Sequence, residues 1–112
     1  MQQLFTQLLN DVQVMQDRYE FVKADVVDYD FYKDVVPFTR NIDELLVSLK
    51  AYEAKMLQLP YMNKRKFDLL ISNIEALSVE CHFKRTSRKL FTEKVKAVQY
   101  DLSYIQRSDI NL

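Results

Sequence analysis

Glycine is absent from the 112-residue sequence, and that absence excludes more than any other. A Walker loop, a dinucleotide fingerprint and a nucleophile elbow each need Gly where backbone approaches a phosphate or turns sharply. Tight hairpins favour it too, because their central residues require positive φ. Few routes to a sheet protein remain. Cysteine occurs once, so no internal disulfide can form and nothing points to a secreted, disulfide-stapled scaffold. The amino terminus, Met1-Gln2-Gln3-Leu4-Phe5, lacks the basic segment of a signal peptide. Unbroken aliphatic runs such as Leu69-Leu70-Ile71 reach only three residues, far short of the ~20 residues that span a bilayer. The expected setting is the cytoplasm, with no membrane contact.

What is present suits one helical domain. Hydrophobic residues make up 48% and charged residues 29%, enough for a core and for solubility. The length is near the commonest domain size, so residues 1–112 read as one domain. Net charge is zero but unevenly placed. Residues 1–58 hold 10 acids and 6 bases, and residues 59–112 hold 6 acids and 10 bases, giving −4 and +4. A nucleic-acid binder usually shows an overall basic excess, and none exists here.

Apolar residues recur by threes and fours along most of the chain, the period of an amphipathic helix. Phe5, Leu8, Val12, Met15, Tyr19, Val22 and Val26 form the first stripe, on a helix covering roughly 2–26. Gln3, Gln7, Asp11, Asp17 and Arg18 lie off it and read as solvent-facing. The second stripe runs Phe31, Val35, Phe38, Ile42, Leu45, Leu49, Tyr52, Met56 and Leu59. Pro37 falls inside it, where a helix interior costs about 3 kcal/mol. The reading is a short helical stretch over about 30–36, a kink, then the main helix to about 58, with Asp28 or Asp30 as N-cap. The third stripe is Phe67, Leu70, Ile74, Leu77 and Cys81, capped by Asn63. The fourth is Phe91, Val95, Val98, Leu102 and Ile105, capped by Thr86 or Ser87.

Between the last two stripes lies Lys84-Arg85-Thr86-Ser87-Arg88-Lys89. Stepping on from Cys81 lands on Lys84, Arg88 and Phe91, so one continuous helix of ~42 residues, some 60 Å long, is the alternative. Charged seam positions and a Thr-Ser pair favour a break. Four amphipathic helices with short connections then predict an all-α, up-down-up-down four-helix bundle.

Tyr29-Asp30-Phe31, Pro37 and Asp43-Glu44-Leu45, with the basic turn Lys84–Lys89 leading into Phe91, Tyr100 and Leu102, resemble the YppE-like family. These are small proteins of low-GC Gram-positive bacteria, and the likeness covers roughly residues 20–105. The resemblance implies a four-helix bundle and a domain of unknown function, with no functional residues to carry over. Its basic turn is associated with several His residues, whereas only His82 is present here.

Candidate chemistry is sparse. In such a bundle the first and third connections share one end, which sets Asp25, Asp28, Asp30 and Asp34 beside Lys84, Arg85, Arg88 and Lys89. Mutual neutralisation is the simpler reading, and a polar binding surface that includes His82 is the functional one. Cys81 and His82 are consecutive and point ~100° apart on a helix, so they do not converge on a metal. No Glu-x-x-His pair exists for a di-iron site. Cys81 reads as a small buried thiol and His82 as a helix-end polar contact. No catalytic residue, metal or cofactor is assigned. The expectation is a small non-catalytic protein-interaction module, monomeric or weakly dimeric. The alternative is a nucleic-acid or anionic-ligand binder using Lys84–Lys89, with only Phe83 and Phe91 nearby to stack on bases.

Overall fold

The first, third and fourth stripes each become one regular helix in the computed structural model, which describes residues 2–24 and 27–108. Helix α1 spans Gln2–Ala24 and buries Phe5, Leu8, Val12, Met15, Tyr19 and Val22. Val26 and Asp25, assigned from sequence to the first stripe and the acidic connection, lie outside the described residues.

The second stripe departs from regular helix twice. A π-helical turn covers Phe31–Val35, and α2 follows over Val36–Lys50. Asp30 caps the turn, its carboxylate accepting from the Lys33 N–H. Pro37 sits in the first turn of α2, directly after the π turn, at the junction between a short helical stretch and the main helix that the sequence predicts. Proline is tolerated in a first helical turn, where its fixed φ suits the helix. The wider π turn takes more residues per revolution. Val35 stays buried, while Phe31, four residues earlier on the same stripe, swings out to 49% exposure.

Helix α2 ends eight residues before the expected position, because Tyr52 leaves the helical region at φ −101°, ψ 11°. A one-turn helix α3, Glu53–Met56, follows. Met56, Leu59 and Met62 are buried nonetheless. Apolar spacing reports which side chains face the core, and here the facing persists where the backbone pattern does not.

Helix α4 spans Lys64–Glu80, and α5 spans Arg88–Arg107. Asn63 caps α4, accepting from the Lys66 N–H at 2.8 Å. Ser87 caps α5, accepting from the Leu90 N–H at 3.3 Å. The Thr86 hydroxyl donates to the Glu80 carbonyl at 2.7 Å. These bonds close a turn between the helices and exclude the continuous one. Replacing Ser87 with Ala should cost about 1 kcal/mol in chemical denaturation, the usual loss on deleting an N-cap.

Helix α1 packs on α5, α4 and α2, and α4 packs on α5 and α2. Gln106 near the end of α5 donates to Thr6 near the start of α1 at 3.0 Å. At the other end Tyr19 stacks on Phe91, with ring centroids 4.1 Å apart. The two helices are therefore antiparallel. The architecture is all-α, with five α-helices and no strand among the described residues. No helix among them is long and apolar enough to cross a membrane.

Candidate functional site: the end shared by two connections

The segment after α1 and the segment between α4 and α5 meet at one end of the fold. The Tyr29 N–H donates to the His82 carbonyl at 3.4 Å. The Lys84 N–H donates to Asp28 Oδ1, and Lys23 Nζ donates to the Lys84 carbonyl, both at 2.7 Å. The Tyr19 hydroxyl donates to the Thr86 carbonyl at 2.7 Å. Short connections leave polar backbone groups that need partners, and each connection supplies them to the other.

Among the described residues, the acidic and basic side chains do not pair as simple neutralisation suggests. Asp28 accepts from the backbone of Lys84, Asp30 accepts from the Lys33 N–H, and Asp34 accepts from the Asp30 N–H. Arg88 instead reaches Glu20 on α1, at 2.5 Å. Both partners are exposed, so salt screens the pair. Arg85 lies over the Phe83 ring, 5.1 Å from its centroid. Lys84, Arg85 and Lys89 are exposed, and among the described residues no carboxylate lies within ion-pair distance of them.

Beneath this surface lies a cluster only partly legible in the sequence. Arg18 is half-buried rather than solvent-facing, and its Nη1 stands 2.7 Å from His82 Nε2. The guanidinium carbon is 4.5 Å from the Phe38 ring centroid and 5.6 Å from that of Tyr29. His82 is fully buried and meets Tyr29 and Phe38 edge-on, at 5.2 and 5.4 Å. Arg18 immediately precedes the seam residue Tyr19, and its long side chain folds back along the core edge.

The geometry dictates the protonation states. A guanidinium only donates, so His82 Nε2 must accept and the ring proton must sit on Nδ1. That atom lies 3.4 Å from Cys81 Sγ. Burial first, and the Arg18 charge second, hold the imidazole below its ordinary pKa. Burial pushes the Cys81 thiol up to about 12, with Arg18 opposing only weakly. A Cys-His nucleophile needs thiolate and imidazolium. Both shifts run the other way, and Arg18 occupies the ring's lone pair. Cys81 and His82 form a neutral buried pair, and no His, Cys, Asp and Glu grouping suited to a metal occurs among the described residues.

Around the cluster the surface is apolar and largely aromatic. Phe21, Val27, Phe31 and Tyr32 are 58%, 65%, 49% and 81% exposed. Phe21 lies 5.7 Å from Tyr29, and Phe31 5.1 Å from Tyr32, between ring centroids. The two rings flanking the basic turn are otherwise engaged: Phe91 is buried on Tyr19, and Phe83 lies under Arg85.

Residues 5–108 match the bacterial domain of unknown function DUF1798. A crystal structure of a DUF1798 protein from Staphylococcus aureus is 54% identical and superposes with a TM-score of 0.92, covering 95% of this chain and 92% of that one. Protein YppE from Bacillus subtilis is 19% identical with a TM-score of 0.84, over 94% of this chain and 88% of that one. A Listeria innocua protein of unknown function is 18% identical with a TM-score of 0.79, over 94% and 86%. The last two likenesses concern the fold alone. No curated protein matches the chain.

Proposed function

The chain belongs to the bacterial DUF1798 family of unknown function, and we propose that it is a cytoplasmic, non-catalytic protein-interaction module. In this reading α1, α2, α4 and α5 form an up-down-up-down four-helix frame, monomeric or weakly dimeric, that presents one end to a partner protein. The exposure of Phe31 and Tyr32 carries the proposal. The apolar stripe would bury Phe31, yet the π turn sets it outside beside an 81% exposed Tyr32. Contiguous exposed aromatics at a chain reversal mark contact surfaces.

Charge narrows the partner. Asp28, Asp30 and Asp34 accept from backbone amides at this end, whereas Lys84, Arg85 and Lys89 project without a described ion-pair partner. The surface therefore suits an apolar contact flanked by carboxylates. Nucleic acid fits less well, since Phe91 is buried and the Phe83 ring already carries Arg85.

The test is affinity capture at low and moderate salt with nuclease controls, comparing wild type with Phe31→Ser/Tyr32→Ser and with Lys84→Gln/Arg85→Gln/Lys89→Gln. The expected result is one stoichiometric, nuclease-insensitive protein. The aromatic double variant should lose it with little change in melting temperature, and the basic triple variant should bind it with a weaker salt dependence. Nuclease-sensitive recovery, or capture indifferent to both variants, contradicts the proposal.

A further inference from the structure

A recess lies at the opposite end of the fold, where the loop before α4 meets the last turns of α5. Tyr61, Met62, Lys66, Tyr100, Asp101 and Tyr104 line a volume of about 260 Å³. Ligand pockets start at roughly 300 Å³, so an occupant must be small.

Three features mark this recess off from an ordinary surface dent. Tyr61 has φ 68°, in the left-handed region that favours glycine, and such residues cluster at binding sites. The Tyr104 hydroxyl donates to the Pro60 carbonyl, tying the loop to α5. Tyr61 and Tyr100 remain 84% and 69% exposed, so their rings are available rather than packed.

A further mark is a pair of opposite charges that do not meet. Asp101 is half-buried, and burial raises its pKa while the Lys66 ammonium pulls it back. Yet no ion pair joins them, and neither side chain has a hydrogen-bond or ion-pair partner among the described residues. An acceptor and a donor therefore line one small recess with aromatic walls.

We propose that this recess binds a free α-amino acid with an aromatic side chain, its ammonium on Asp101, its carboxylate on Lys66 and its ring on Tyr61 and Tyr100. An α-amino acid carries both charges on one carbon, which suits two side chains that line one small recess without forming an ion pair. The charged pair sets the orientation, and stacking on tyrosine supplies a non-polar contact. The site is independent of the protein-contact surface at the other end.

Saturation-transfer NMR on the full chain tests this with L-phenylalanine, and with phenethylamine and 3-phenylpropionate as probes carrying one charge each. L-Phenylalanine should bind at least tenfold more tightly than either probe. Asp101→Asn should weaken L-phenylalanine and phenethylamine at least tenfold and spare 3-phenylpropionate. Lys66→Gln should do the reverse for the two probes. Circular-dichroism melting checks that both variants are folded, and Lys66 is exposed, so its replacement is mild. Absence of L-phenylalanine binding at millimolar concentration overturns the proposal. So does equal binding of all three compounds, or binding by both folded variants as tight as wild type.

Discussion

Replacing Tyr19 with Ala is expected to lower the unfolding free energy by about 3–5 kcal/mol, the range for deleting a large buried ring. Tyr19 is 1% exposed, stacks on Phe91 at 4.1 Å and donates to the Thr86 carbonyl. It joins the end of α1 to both the turn before α5 and the first core residue of α5. Small domains are stable by only about 5–15 kcal/mol, so the variant should be marginal at 37 °C. Tyr19→Phe separates the parts. It keeps the ring and loses one hydrogen bond, so a cost of about 1 kcal/mol is expected. Urea denaturation of the three proteins measures both. A Tyr19→Ala loss below about 1 kcal/mol contradicts the packing described for this end.

Arg18→Leu is expected to cost about 2–3 kcal/mol. A hydrogen bond from a charged donor contributes about 1.5–3 kcal/mol, and here the acceptor, His82 Nε2, is buried and would be left unpartnered. The cation–π contacts with Phe38 and Tyr29 are lost as well. The same cluster makes stability depend on pH. Arg18 from α1 faces His82 directly, Cys81 adjoins it, and the Ser78 and Val79 backbone and the Asp34 charge act weakly to raise its pKa. Because the folded pKa is depressed, the unfolded chain takes up a proton more readily. The stabilisation is fully present above about pH 6.5, the unfolded value. It is lost as pH falls through the folded pKa, at up to about 1.4 kcal/mol per pH unit. Asp11 and Asp101, raised mainly by burial, act in the opposite sense at lower pH. The His82 effect should therefore be read just below pH 6.5. Arg18→Leu should lose part of that slope, since one of the two causes of the depression is gone.

The regular helices were legible because a 3.5-residue apolar period requires one backbone geometry and one buried face. Phe5 to Val22, Phe67 to Cys81 and Phe91 to Ile105 all follow it. At Phe31 and after Lys50 the period continues while the hydrogen-bond pattern changes, and hydrophobic spacing carries no information about which carbonyl an N–H finds. The stripe therefore places Phe31 on the core face, and nothing in the spacing signals the π turn that exposes it. The meeting of the two connections followed from short-loop topology, but the partners did not. A carboxylate in a turn is drawn to nearby backbone amides, and Asp28 and Asp30 accept from those rather than from lysines. Arg18 was hidden because periodicity treats a long cationic side chain beside the seam as solvated, although its stem can lie along the core.

Burial, with the Arg18 guanidinium against Nε2, holds His82 neutral beside a protonated thiol, so that this end is a structural joint beneath the proposed contact surface. His82 is the one histidine in the sequence, so its ring resonances need no assignment. A proton NMR titration of the folded protein should give a midpoint clearly below 6.5, the ordinary histidine value. A midpoint at or above 6.5 would contradict the account: the imidazolium would be stable there, Arg18 would not be against Nε2, and Cys81 would have a cation beside it to support a thiolate.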